Sequence, residues 1–176
     1  MENKNLIFIC GFMGCGKTTI SNELSKKLQI PVVDLDQIIE VHQEMSVEKI
    51  FETKGELYFR KLEHQYFSEW IANEKQFIMS AGGGTPCYYD NHLLLRDPNV
   101  ISFYLKASIE TLATRLTGNE KKQRPLVSHL HPEEAKEFIA KHLFERSFFY
   151  HQASHTIDVD GKSVAEITKE IGLLLA

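Results

Sequence analysis

Leu6-Ile7-Phe8-Ile9-Cys10, followed by Gly11-Phe12-Met13-Gly14-Cys15-Gly16-Lys17-Thr18, is an apolar run that breaks into a glycine-rich turn and then an amphipathic stretch. The turn carries the pattern G-x-x-x-x-G-K-[ST] in a strand–loop–helix context. Its glycines let the loop fold back so that successive backbone N–H groups face phosphate oxygens. The helix that follows adds the positive end of its dipole at the same point. Lys17 supplies a mobile charge for the β- and γ-phosphates, and Thr18 a hydroxyl for Mg²⁺. The chain therefore reads as one that holds a nucleoside triphosphate.

Outward from this loop, strand-length apolar runs alternate with helix-length amphipathic segments. The runs are Leu6–Cys10, Ile30–Leu35, Phe77–Ser80, Val100–Leu105 and Thr156–Val159. Between them lie Lys17–Leu28, Glu56–Ile71, Ile109–Leu116, Pro132–Phe149 and Ser163–Leu175. Short, nearly continuous apolar strands joined by crossover helices predict an α/β fold with a parallel sheet covered on both faces. Ser108 before Ile109, and Pro132 with Glu133 and Glu134, mark helix starts. The polar, basic stretch Gly118–Pro125 between two helices reads as a mobile loop.

Composition narrows the class. At 176 residues the chain suits one domain, because splitting becomes common only above roughly 250–300 residues. A net charge of −4 and a pI near 6.1 argue against a nucleic-acid or membrane coat, so phosphate binding must rest on local cations. No apolar stretch approaches the roughly 20 residues that span a bilayer. The opening residues run into a strand too short for a signal peptide's apolar core, so a cytoplasmic protein is expected. Cys10, Cys15 and Cys87 form neither a disulfide framework nor a zinc pattern.

Ligands of open parallel sheets bind beyond the carboxyl ends of the strands. There the second strand ends Val33-Asp34-Leu35-Asp36, with two carboxylates on one side of an extended chain. One division has Asp34 reaching Mg²⁺ and Asp36 facing a phosphoryl acceptor; the other makes Asp36 the N-cap of a helix over Gln37–Val41. Gly82-Gly83-Gly84 after the third strand permit close backbone approach to a small ligand, or form a flexible connection. Arg60, Arg115, Arg124 and Arg146 each read alone as solvated side chains. Arg60 and Glu63 are helical neighbours. Phe51 and Phe59 fit a solvent-excluding pocket wall and an ordinary core equally. Cys15 reads as a tolerated small residue of the loop, or as a thiol activated by nearby donors.

Taken together, G-F-M-G-C-G-K-T-T, D-L-D, F-x-x-x-G-E-x-x-F-R-x-x-E, G-G-G, R-P-L and R-x-x-x-Y closely resemble the shikimate kinase family, from Asn5 to about Ala153. The resemblance implies a three-layer P-loop kinase fold with a five-stranded parallel sheet in the order 2-3-1-4-5. It implies a single kinase domain over 1–176, with a substrate-binding subdomain at about 34–63 and a lid at about 117–131. It further implies transfer of the γ-phosphoryl of ATP, with Mg²⁺, to the 3-hydroxyl of shikimate in aromatic amino-acid biosynthesis. A monomer with no nucleic-acid or membrane partner is expected.

By motif position, Lys17, Asp36 and Arg124 would be catalytic. ATP would be held by Gly11, Met13, Gly14, Cys15, Gly16, Lys17, Thr18, Thr19, Arg115 and Arg124. Thr18 and Asp34 would serve the metal. Asp36, Arg60, Gly82, Gly83, Gly84 and Arg146 would bind shikimate, the two arginines through its carboxylate, as guanidinium forks suit. Arg115 would lie against the adenine, and Arg124 would close with the lid. Thr85-Pro86-Cys87-Tyr88-Tyr89 departs from the family pattern by its bulk, and Val127 by replacing a leucine. Two other readings stay open: another kinase of the same fold, such as a gluconate kinase, and a nucleotide-dependent switch. The guanine-reading N-K-x-D of a switch is absent from the sequence.

Overall fold

The computed structural model of the chain describes residues 6–73, 75–118 and 131–176. Strand β1 (Leu6–Cys10) lies at the centre of a five-stranded parallel sheet, between β3 (Phe77–Ser80) and β4 (Val100–Lys106). The outer strands are β2 (Val32–Asp34) beside β3 and β5 (His155–Asp158) beside β4, giving the order 2-3-1-4-5. Leu6 is in register with Phe77 on one side and Val100 on the other. A strand covered on both faces must be apolar throughout, and every residue of β1 is buried. Phe8 stacks on Phe67, centroids 4.7 Å apart, and so joins the central strand to a covering helix.

The helices are α1 (Lys17–Leu28), α2 (Leu35–Gln43), α3 (Val47–Lys54), α4 (Glu56–Ile71), the single turn α5 (Asn91–Leu94), α6 (Ile109–Thr117), α7 (Pro132–Tyr150) and α8 (Val164–Leu175). Lys17–Leu28 and Glu56–Ile71 carry the predicted boundaries. The second strand is shorter than its apolar run, because the chain turns into α2 at Leu35. Asp34, not Asp36, caps that helix: its Oδ1 accepts the N–H groups of Asp36 (2.9 Å) and Gln37 (3.3 Å). Capping is thereby assigned to one aspartate, and Asp36 is placed in the first helical turn.

The loop after β1 turns on glycine. Gly11 has φ +143°, and a Cβ there would lie 2.7 Å from the Leu105 carbonyl oxygen and 2.8 Å from Cys15 Sγ. Only glycine fits that close approach. Cys15 itself is buried, packed under the turn as a small residue. No helix among the described residues is long and apolar enough to cross a membrane.

Candidate active site

The carboxyl ends of β1, β2 and β3 open into a cavity of about 410 Å³, lined by Met13, Gly14, Gly16, Lys17, Thr18 and Thr19 on one side. Asp34, Asp36 and Ser80–Gly83 line the other. Lys17 Nζ donates to the carbonyls of Gly11 (2.9 Å) and Phe12 (3.2 Å), so its charge is held over the loop it serves. Thr18 is exposed at the helix start and shares this cavity with Asp34.

A second cavity of about 210 Å³ adjoins the first and shares Met13, Asp36, Gly82 and Gly83 with it. Val47, Phe51, Phe59, Arg60, Glu63, Gly84 and Arg146 complete its wall. Asp36 thus stands at the junction. Its Oδ1 is buried and has no hydrogen-bond partner among the described residues. Burial, then the negative charges of Glu63 and Asp34, push its carboxyl up to about 7, against the pull of Arg60. An ionisable oxygen left unpaired between two cavities is a ready acceptor for a ligand's hydroxyl proton.

Arg60 is 9% exposed, which the sequence reading of a solvated helix face did not anticipate. Its Nη1 donates to Glu63 Oε2 (2.6 Å), while Nε (3.2 Å) and Nη2 (3.1 Å) donate to Glu56 Oε1. Glu63 is also fixed by the Thr85 hydroxyl. Burial raises the Glu63 carboxyl although Arg60 and Thr85 stabilise its charge. Gly84 makes room for the guanidinium, since a Cβ there would lie 2.8 Å from Arg60 Nη2. Phe51 and Phe59 pack with ring centres 4.9 Å apart, tilted by 40°, and line the pocket, so both readings of these rings hold together.

Arg146, on α7, faces the same pocket with its guanidinium 5.7 Å from the centre of the Phe12 ring. Among the described residues it makes no ion pair. One helical turn on, Tyr150 donates its hydroxyl to the Gly83 carbonyl (2.6 Å) and so pins the glycine segment. Among the described residues, the pocket thus holds one arginine balanced by two acids and one with no ion-pair partner.

On the outer side of the phosphate loop, Arg115 Nη1 donates to the carbonyls of Gly14 and Cys15, both at 3.2 Å. With Lys162, Val164 and Ile167 it lines a cleft of about 140 Å³ against Gly14–Gly16. The sequence assigned no role to Lys162 or Val164. They are brought here by the turn from β5 into α8, which Asp160 ties to α6 by accepting the Ser108 N–H at 3.1 Å. Arg124 and almost all of the expected lid lie outside the described residues.

The sheet order and the glycine loop after its central strand define a phosphotransferase of the P-loop kinase fold. The family model for shikimate kinase matches residues 13–175. A shikimate kinase of Flavobacterium johnsoniae is 51% identical over 97% of this chain and 98% of its own length. The crystal structure of shikimate kinase from Bacteroides thetaiotaomicron superposes with a TM-score of 0.85 at 32% identity, covering 97% of each chain. Shikimate kinase from Acinetobacter baumannii, solved in complex with shikimate, gives 0.81 at 28% identity, over 99% of this chain and 94% of that one. The chain belongs to the shikimate kinase family.

Proposed function

We propose that the two adjoining cavities are the donor and acceptor halves of one site, in which the γ-phosphoryl of ATP passes to the 3-hydroxyl of shikimate. As a shikimate kinase the chain catalyses ATP-dependent phosphorylation of shikimate, a step of aromatic amino-acid biosynthesis, with Mg²⁺. The observation that carries the division of labour is Asp36, which lines both cavities with an unpaired, buried carboxylate oxygen.

In this reading Asp36 accepts the hydrogen bond of the attacking hydroxyl and aligns its oxygen on the phosphoryl. Lys17 leaves the Gly11 and Phe12 carbonyls for the β- and γ-phosphates. Gly14, Cys15 and Gly16, with Met13, Thr18 and Thr19, frame the phosphate cradle, and Gly11 sets its turn. Thr18 and Asp34 would hold the metal: they share the donor cavity, and capping engages only Asp34 Oδ1. Two protein oxygens suffice, because Mg²⁺ keeps several waters and takes phosphate oxygens. When bound, Mg²⁺ neutralises charge on the transferring phosphates. Arg115 supports the nucleotide from the outer cleft. Arg124 and the loop of about 117–131 are assigned to closure by motif position alone.

Shikimate presents one carboxylate, and Arg60 and Arg146 receive it beside Gly82, Gly83 and Gly84. Arg146 contributes the unbalanced charge. Arg60, already paired with Glu56 and Glu63, contributes direction through its two remaining N–H groups. Residues of about 34–63, in α2, α3 and the start of α4, act as the substrate-binding subdomain. We infer a monomer as the working unit and place it in the cytoplasm.

Calorimetric titration of shikimate tests the acceptor half. Arg146→Met is expected to weaken binding by roughly 30- to 100-fold, the worth of a charge-assisted carboxylate contact. An unchanged dissociation constant would move the carboxylate elsewhere.

A further inference from the structure

We propose that Tyr88 is a positioning residue for the substrate carboxylate, acting through Arg60. The proposal rests on the assignment of Arg60 to that carboxylate. The Tyr88 ring stacks on the guanidinium, its centre 4.5 Å from the Arg60 Cζ. Its hydroxyl donates to Glu56 Oε1 at 3.0 Å, the same oxygen that receives Nε and Nη2 of Arg60. One side chain therefore touches both the cation and one of its counter-ions.

The two counter-ions differ in how they are held. The Glu63 side chain is 0% exposed and fixed by Thr85, whereas that of Glu56 is 49% exposed. A half-solvated carboxylate wanders, and an arginine bonded to it wanders with it. Tyr88 removes that freedom: the hydroxyl tethers Glu56, and the electron-rich ring face holds the guanidinium plane. Three of the five Arg60 N–H groups are engaged, so the direction of the guanidinium decides where the other two point. Burial and the Glu56 charge raise the Tyr88 phenol, which keeps it a hydrogen-bond donor.

The loop that presents Tyr88 is built for the purpose. After a short helical turn over Thr85–Cys87, Tyr89 and Asp90 both adopt left-handed backbone, φ +50° and +59°. Two such residues in succession without glycine are strained and need support. Asn91 supplies it. Its Nδ2 donates to the Thr85 carbonyl (2.8 Å), its N–H to the Tyr88 carbonyl (3.0 Å), and its Oδ1 pairs with His64 Nδ1 (2.8 Å). The reversal turns Tyr88 back onto α4. The bulk that departs from the family pattern at 85–89 is thus the outer wall of the arginine clamp.

Steady-state kinetics with Tyr88→Leu and Tyr88→Phe, alone and in an Arg60→Lys chain, test the proposal. Tyr88→Leu is expected to raise the KM for shikimate roughly tenfold, with kcat and the KM for ATP within about twofold of the parent. Tyr88→Phe keeps the ring and loses the tether, for a rise of roughly threefold. In the Arg60→Lys chain, Tyr88→Leu should add less than about twofold, because the group it positions is gone. An unchanged KM for shikimate in Tyr88→Leu, an equal rise in the KM for ATP, or full additivity with Arg60→Lys would overturn it. If Arg60→Lys itself leaves the KM for shikimate unaltered, the assignment of Arg60 falls and the proposal with it. If Arg60→Lys raises it and Tyr88→Leu does not, Tyr88 alone is wrong.

Discussion

Asp36→Asn is expected to lower kcat by about 10³-fold while making the folded chain more stable above pH 7. The two effects share a cause. Burial beside Glu63 and Asp34 lifts the carboxyl from an ordinary 3.8 to about 7, with Glu40 adding to the rise and Arg60 opposing it. A carboxyl whose folded pKa lies above its unfolded value binds more protons in the folded state between those two pH values. Stability therefore falls as pH rises from about 4 to about 7 and levels off above that. Asparagine has nothing to ionise and escapes the loss. The gain is on the order of 2 kcal/mol at pH 8, or roughly 5 °C in Tm for a chain of this size. Thermal melts of both chains at pH 5 and pH 8 check it: the difference should grow with pH. A difference that shrinks from pH 5 to pH 8 would show that Asp36 is ionised and well paired when folded. The same carboxylate must be charged to receive a proton, so kcat/KM for shikimate is expected to climb through pH 7 in the parent chain.

Lys17→Met is expected to remove phosphoryl transfer by about 10³-fold or more while leaving shikimate binding in the absence of nucleotide within about twofold. In the proposed division the charge acts on the donor side only, since Lys17 lines the larger cavity and not the smaller one. Its hydrogen bonds to Gly11 and Phe12 are lost as well, at a cost of about 1 kcal/mol in stability. Single-turnover assays and titration of shikimate separate the two halves. A Lys17→Met chain that turns over normally would detach the glycine loop from the chemistry, and one that loses shikimate binding would show that the cavities are not independent.

Legibility in the sequence followed burial. Strands β1 and β3 have the limits of their apolar runs, because a strand covered on both faces cannot admit polar residues without unpaired groups. Strand β2 is an edge strand, and its run Ile30–Leu35 spilled into a helix that Asp34 starts with its own side chain. Helix α3 was missed: it is two turns long, and Ile50 in the core is its single buried residue. Val47 and Phe51 of that helix reach the acceptor pocket only through the tertiary fold.

The site divided in the same way. The glycine loop was legible as local chemistry, a backbone shape encoded in consecutive residues. Arg60 and Arg146 were not, because a charged residue on a helix reads as solvated until neighbours cover it. Their assignment came from the family resemblance, to which the packing adds the burial of Arg60 and the place of Arg146 in the same pocket with no ion pair among the described residues. Glu63 was visible only as a helical neighbour of Arg60. Its bond to Thr85 and its influence on Asp36 depend on strands that no local pattern connects. Tyr88 stood out only by the bulk of residues 85–89, and the sequence assigned no role to Lys162.

The central claim is that Asp36 joins a nucleotide site to a shikimate site and directs transfer to one hydroxyl. Phosphorus–proton correlation NMR of the product formed from ATP, Mg²⁺ and shikimate tests it most directly. The phosphoryl group is expected to couple to the proton on C3 of the ring, with ADP formed in equal amount. ADP released without a phosphorylated ring, or phosphorus coupled to a proton at C4 or C5, would contradict it.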